Sequence, residues 1–238
     1  MASGNRIYFV IDAAGGGTRF GGDIPKQFRQ LAGKTVVCHS IDTFYRFCER
    51  RSIAGTVILV LSPAGKDFWQ RQDSCNYPDL LIADGGATRA ESVSNSLGLI
   101  GPICEGDIIM VHDGARPLIT ESLLDRLTDA VQVGLKAIVP AIAPTDSLMK
   151  KDCGSTARPV CRGDYLAVQT PQAFDGPTLI DAYRKQSDDI ARMTDDASVV
   201  YAACGTPISY VEGETTNIKI TNPADLPLAE ILLTQCSR

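Results

Sequence analysis

No apolar run in these 238 residues approaches the roughly 18 that a membrane-spanning helix needs. Behind the N-terminal cation Arg6 only Ile7 to Ile11 are apolar, too few for the core of a secretory leader, so none is expected. There are two histidines, His39 and His112, and the eight cysteines (38, 48, 75, 104, 153, 161, 204 and 236) form no C-x-x-C pair. A zinc site therefore has little to draw on, and the expectation is scattered buried thiols in a reducing cytoplasm. Basic residues are not in excess. A net charge of −5 argues against general nucleic-acid binding, because phosphate backbones select basic surfaces. No G-x-S-x-G elbow occurs. Two familiar phosphate-binding templates fail as well. G-x-G-x-x-G would need glycine at Phe20, and the G-x-x-x-x-G-K-[ST] pattern breaks because Asp23 and Ile24 follow Gly22.

What is present is an ordinary globular composition, 44% apolar and 21% charged, on a chain long enough to bury a proper core. At roughly 150 residues per domain the length falls between one and two. With no repeat and no linker, residues 1–238 are expected to form one domain.

The chain is organised around Val10 to Lys26, VIDAAGGGTRFGGDIPK. A short buried strand empties into Ala13, Ala14, Gly15, Gly16 and Gly17, then Thr18 and Arg19, then Pro25 and Lys26. Glycines permit positive φ and let backbone N–H groups approach phosphate oxygens. Arg19 and Lys26 would add charge-assisted bonds to the same phosphates. The bland alternative is a glycine-rich turn with two solvated cations.

Apolar spacing predicts strands at Ile7 to Ile11, Thr56 to Leu61, Leu80 to Ala83, Ile108 to Val111, Lys136 to Ala143, Ile208 to Val211 and Asn217 to Thr221. Helices are predicted over Thr35 to Arg50, Arg89 to Ile100, from Thr120, near Pro177 to Lys185 and from Thr194. A last one opens at Asn222-Pro223, or later because of Pro227. This alternation indicates an α/β fold, a mostly parallel doubly wound sheet with helices on both faces. The pattern breaks over residues 144–173, whose short extended pieces (Asp146 to Lys150, Pro159 to Cys161, Tyr165 to Val168) carry too few apolar residues for a core. A two-stranded projection needs something to pack against, so this segment is expected to be a β-arm docking on a second copy of the chain.

Four clusters fall where such sheets bind ligands, beyond the carboxyl ends of the strands: the opening loop, Gly85 to Arg89, His112 to Pro117, and Thr145-Asp146-Ser147. Asp113 is either a ligand for a hard cation such as Mg²⁺ or part of an Asp-Gly turn. Arg116 either reaches phosphate or pairs with Asp113. Ser92 faces either the loop or the helix surface, and His112 is expected to be structural.

Together the runs AAGGGTRFGGDIPKQF, GGATRAESV, VHDGARP, TDSLMK, TPQAF, TDDAS and VEGETTNIKIT resemble the 2-C-methyl-D-erythritol 4-phosphate cytidylyltransferase family, in order over nearly the whole chain. The resemblance implies a nucleotide-diphospho-sugar-transferase-like fold, CTP, a polyol phosphate, Mg²⁺ and a homodimer clasped through the arm. It implies that Arg19 and Lys26 are catalytic cations on the triphosphate. Ala13, Ala14, Gly86 and Ser92 would hold the cytosine end, with Gly15, Gly17 and Arg89 also on the nucleotide. Asp113 and Gly114 would lie by metal and ribose, with Arg116 supporting their loop. Ser147, Arg162 and Lys219 would hold the acceptor phosphate, Ser147 and Arg162 from the partner subunit, with Thr170 nearby. Three positions depart from the pattern: Asp12 stands where proline is frequent, Ala87 where an acidic residue is common, and Ser147 where threonine is usual. A ribitol-5-phosphate cytidylyltransferase, a hexose-phosphate nucleotidylyltransferase and a non-catalytic nucleotide sensor of the same fold are the alternatives.

Overall fold

The computed structural model describes residues 6–16, 20–71, 77, 79–185 and 193–236. In chain order its elements are β1 (Arg6–Asp12), the β2–β3 hairpin (Gln30–Leu31, Lys34–Thr35), α1 (Val36–Arg51), β4 (Ala54–Leu61) and α2 (Pro63–Gln70). Next come β5 (Leu81–Asp84), α3 (Arg89–Leu97), β6 (Ile108–Asp113), α4 (Glu121–Gln132) and β7 (Ala137–Ile142). Then follow β8 (Met149–Lys151), β9 (Ala157–Pro159), β10 (Ala167–Val168), β11 (Gln172–Asp175) and α5 (Gly176–Arg184). The last are α6 (Asp196–Cys204), β12 (Ser209–Glu212) and α7 (Asp225–Cys236).

β1 is central because it is apolar on both faces. Ile7, Phe9 and Ile11 join the core under α1 and α4, while Tyr8 and Val10 join the core under α3, α5 and α6. β4 and β6 flank it in parallel, and β5 extends the sheet beyond β4. Beyond β6 the sheet is mixed: β11 lies antiparallel between β6 and β7, β10 is antiparallel to β7, and β12 is parallel to it. The strand order reverses at β1, so the crevice between the carboxyl ends of β1 and β6 is where such a sheet admits a ligand. A third core of Leu31, Val36, Leu118, Ile220 and Ala229 pins the C-terminal segment beside that crevice.

Several expectations change. Asn217 to Thr221 is not a strand; Ile220 N donates to Ala115 O at 2.9 Å, but no ladder forms, and the segment is an extended strap. The apolar alternation is real, with Ile218 and Ile220 packed in the third core on either side of the exposed Lys219, but it packs the strap onto a loop instead of a sheet edge. The two-stranded part of the arm is only β8 with β9, and residues 167–173 run back into the main sheet because Ala173 and Phe174 are fully buried there. The last helix takes the later of its expected starts: it begins at Asp225, whose carboxylate accepts from Thr221 N and Asn222 N ahead of Pro227. Sequence reasoning passes over α2, although Ser62 caps it, accepting from Gly65 N at 3.1 Å, and Pro63 stands in its first turn. The cysteines are not uniformly buried thiols. Cys38 is disulfide-bonded, Cys48 is a buried thiol, and Cys104, Cys153 and Cys161 are exposed. Cys75 lies outside the described residues.

Burial pushes the Cys48 thiol up to about 12, which leaves almost no thiolate at neutral pH. Iodoacetamide at pH 7.5 should therefore alkylate Cys104, Cys153 and Cys161 and spare Cys48 until denaturant is added. Peptide mass mapping before and after unfolding checks this.

Candidate functional site

β1 and β6 end side by side, with Asp12 and Asp113 in register as the last residue of each strand. The loops that leave them are packed tightly. A Cβ on Gly114 would lie 3.0 Å from Ala13 Cβ and 3.1 Å from Asp12 O, and one on Gly85 would lie 2.5 Å from Ala14 Cβ. Glycine is needed here for close approach. Positive φ in the opening segment falls at Gly21 and Gly22 and not at Gly15 or Gly16, so the turn that the sequence placed at the first glycines comes later among the described residues.

Asp12, Ala13, Gly15, Lys26, Gln27, Arg89, Asp113, Gly114, Ala115 and Lys219 line a cavity of about 130 Å³ at this point. Three cations face two carboxylates, a local positive excess in a chain whose net charge is −5. The enclosed volume is small beside the roughly 300–1,000 Å³ of whole-ligand pockets, so it is the floor of an open site. A larger cavity of about 550 Å³ between α3 and α5 has Arg184 as its one charged lining residue among the described residues, and it is not the place for phosphate chemistry.

Asp113 is the electrostatic centre. Burial would push its carboxyl up, but Lys219, Arg89 and Arg116 outweigh burial and hold it far below the usual carboxylate range. Lys219 Nζ is 2.9 Å and Arg116 Nε 3.3 Å from Asp113 Oδ2. Arg116 thus takes the ion-pair alternative, and its Nη1 also donates to Asn217 O at 2.7 Å. Asn217, fully buried, donates from Nδ2 to Thr170 O at 2.9 Å. Lys26 Nζ donates to Ile220 O at 2.6 Å, so the strap meets both lysines.

His112 is buried, and burial pushes its imidazole down to about 4, so the ring is neutral at pH 7. Its Nε2 lies 3.0 Å from Arg116 O, which can only accept, so the proton sits on Nε2. Nδ1 then accepts from the Thr170 hydroxyl at 3.0 Å, while Thr170 Oγ1 accepts from Asp113 N at 3.0 Å. The ring thus supports the Asp113 loop.

On the other side of the cavity Thr88 caps α3 and accepts from Glu91 N, while Glu91 Oε2 accepts from Ala87 N at 2.7 Å. Ser92 faces the loop: its Oγ accepts from Gly86 N at 3.0 Å. Ala14 N donates to Asp12 Oδ1 at 3.2 Å. The backbone N–H groups of Ala14 and Gly86 therefore already have internal acceptors. Burial pushes the Asp12 carboxyl up against the opposing effect of Arg89 and the Ala14 amide. Arg89 is largely committed to the protein, with its Nη2 2.7 Å from the fully buried Asp196 Oδ2.

Ser147 and Arg162 are exposed on the arm and do not line the cavity; Arg162 Nη1 donates to Thr145 O. Thr170 supports Asp113 from behind the cavity. Gly17 and Arg19 lie outside the described residues. Sequence reasoning missed Gln27, Asp196 and Asn217. Only Asp196 left a signal, as the acidic residue that follows the capping Asp195, which accepts from Ser198 N.

A model of the family described as IspD, 2-C-methyl-D-erythritol 4-phosphate cytidylyltransferase, matches residues 7–235. A Bacteroides fragilis protein of that name is 40% identical over 226 residues, 94% of this chain and 98% of its own length. A solved 2-C-methyl-D-erythritol 4-phosphate cytidylyltransferase structure from Thermus thermophilus is 33% identical, with TM-score 0.74, covering 95% of this chain and 98% of that one. One from Francisella tularensis is 27% identical, with TM-score 0.79, covering 96% of this chain and 99% of that one.

Replacing Thr170 with valine keeps the shape but leaves the Asp113 amide and His112 Nδ1 without their partner. The expected cost is about 1–3 kcal/mol of unfolding free energy. Urea melts of the two proteins at pH 7.5 measure it.

Proposed function

The chain belongs to the 2-C-methyl-D-erythritol 4-phosphate cytidylyltransferase family, and from that membership we infer its reaction: it transfers CMP from CTP to 2-C-methyl-D-erythritol 4-phosphate and releases pyrophosphate, a step of isoprenoid precursor synthesis. The ribitol alternative is not favoured, since the relatives carry the methylerythritol name.

The observation that carries the mechanism is the convergence of Lys26, Arg89 and Lys219 on one cavity at the sheet's switch point. A phosphate oxygen of the acceptor forms a bond to the α-phosphorus of CTP as the bond to the bridging oxygen of pyrophosphate breaks. That nucleophile is already an anion at neutral pH, so no general base is required, in keeping with a neutral, buried His112. The protein has to position two polyanions and offset charge that grows on the leaving group. We assign Lys26, with Arg19, to the triphosphate and Lys219 to the acceptor phosphate.

The donor chemistry suits a hard divalent ion. Asp113 stays ionised and presents oxygen at the cavity floor, and Mg²⁺ often takes one or two carboxylates with substrate phosphates completing its shell. Asp113 would hold that ion, which would supply charge neutralisation on the phosphates.

A homodimer through the arm is part of the same reading. Both strands of the arm hairpin are exposed along their length, and Met149, Tyr165, Leu166 and Val168 add exposed apolar surface around them. Such a hairpin needs a packing partner. Ser147 and Arg162 would then serve the partner's site. Among the described residues no helix is long and apolar enough to cross a membrane. The exposed thiols favour a cytoplasmic setting, although the Cys38 disulfide does not.

Pyrophosphate release with CTP, Mg²⁺ and either methylerythritol or ribitol phosphate tests the reaction, and turnover is expected with the first only. Lys26→Ala should lose about 3–4 kcal/mol of transition-state stabilisation, the effect of removing one electrostatic donor, and a near-normal turnover number would refute its role. For the arm, mixing inactive Lys26→Ala with inactive Arg162→Ala subunits should restore about a quarter of wild-type activity if sites are shared across a two-fold axis, and none if each subunit works alone.

A further inference from the structure

We propose that Gln27 is the positioning residue that locks the phosphate-facing loop Ala13–Gly16 to the turn carrying Lys26, and so sets the geometry in which CTP is held. The inference rests on the cytidylyltransferase reading. Gln27 is buried, and its side-chain amide grips the loop twice, with Nε2 donating to Ala13 O at 2.7 Å and to Gly15 O at 3.1 Å. Its own backbone is fixed from the other side. Pro25 leads into a single 3₁₀ turn, Lys26–Phe28, and Phe28 is buried against the Phe68 ring, with centroids 5.7 Å apart. One three-residue turn therefore anchors in the core through Phe28, holds the loop through Gln27 and presents Lys26 to the cavity.

The grip also orients the loop's donors. In a planar trans peptide the C=O and the following N–H point in opposite directions. Drawing the Gly15 carbonyl toward Gln27 turns the Gly16 N–H away from it. Gly15 and Gly16 are exposed, and nothing lies within 4 Å of a Cβ built at either, so a ligand can approach. A glycine loop left to itself samples many backbone states; two hydrogen bonds from one buried amide remove that freedom before the nucleotide arrives.

Two variants test the role. Gln27→Met keeps the volume and removes both donors, and Gln27→Glu keeps the shape and sets oxygen against both carbonyls. Each is expected to lower kcat/KM for CTP by about 100-fold, the scale of a misplaced reactive geometry, while KM for the acceptor changes less than about threefold. Amide hydrogen exchange on the ligand-free proteins supplies a readout independent of turnover. Exchange at the Ala14 amide, which donates to Asp12 Oδ1, should rise at least about tenfold in both variants, with β1 and β6 unchanged. Unchanged exchange at Ala14, or CTP kinetics like wild type in a folded variant, overturns the proposal. A lower melting temperature with CTP and acceptor kinetics altered equally also overturns it, as the sign of a merely structural residue. A wild-type chain that releases no pyrophosphate defeats the cytidylyltransferase reading instead, and the exchange measurement then still decides the role of Gln27 in the loop.

Discussion

The arrangement depends on one carboxylate being kept ionised inside the protein. Asp113 ends a buried strand, where desolvation alone would favour the neutral acid. Lys219, Arg89 and Arg116 reverse that preference, and they come from three distant parts of the chain. Holding them together is what the flanking structure does: the strap brings Lys219, α3 brings Arg89, and the loop after β6 brings Arg116. The hydrogen bonds around them are mostly neutral, from His112, Thr170 and Asn217. These groups fix positions without adding charge that would compete with a phosphate ligand.

Much of this was legible in sequence because it rests on short-range patterns. Continuous apolar runs marked β1, β4 and β6, since strands buried on both faces cannot alternate. Ligand-bearing loops followed, because parallel strands place their carboxyl ends together. What stayed hidden depends on partners remote in sequence. The alternation of Asn217 to Ile220 looks like a strand, and only the neighbouring Ala115 carbonyl shows that it packs on a loop. Gln27 sits between Lys26 and Phe28 without periodicity, and its partners Ala13 and Gly15 are backbone carbonyls that leave no side-chain signature. Asp196 reads as a helix-start acid, but its carboxylate turns inward to Arg89 and the Tyr183 hydroxyl.

The Arg89–Asp196 pair separates scaffold from machinery. Asp196 is fully buried, and removing Arg89 would leave its carboxylate as an unpaired buried charge, typically a 3–5 kcal/mol penalty. Arg89 is thereby fixed in place whether or not a ligand is bound. Its field still reaches Asp12 and Asp113, so it acts at the cavity as a standing positive charge and not as a movable hand. The backbone amides of Ala14 and Gly86, at the same cavity, donate to acceptors within the protein, Asp12 Oδ1 and Ser92 Oγ.

Lys219 is held on different terms. Its side chain is 41% exposed, and a half-exposed ion pair contributes about 0–1 kcal/mol to stability. The strap does not need that pair to stay in place. Burying Ile220 alone contributes about 1.5–3 kcal/mol, and the Arg116 to Asn217 bond and the Asn217 to Thr170 bond add to it. The backbone under Lys219 is thus secured by apolar packing and neutral hydrogen bonds, while the ammonium itself is bound weakly. In the proposed reaction an incoming phosphate draws the ammonium off Asp113 at little cost to the fold, and the carboxylate so exposed would be the one to hold a divalent cation. The charge cancellation proposed for this site would need this division between a fixed frame and a cation that is cheap to move.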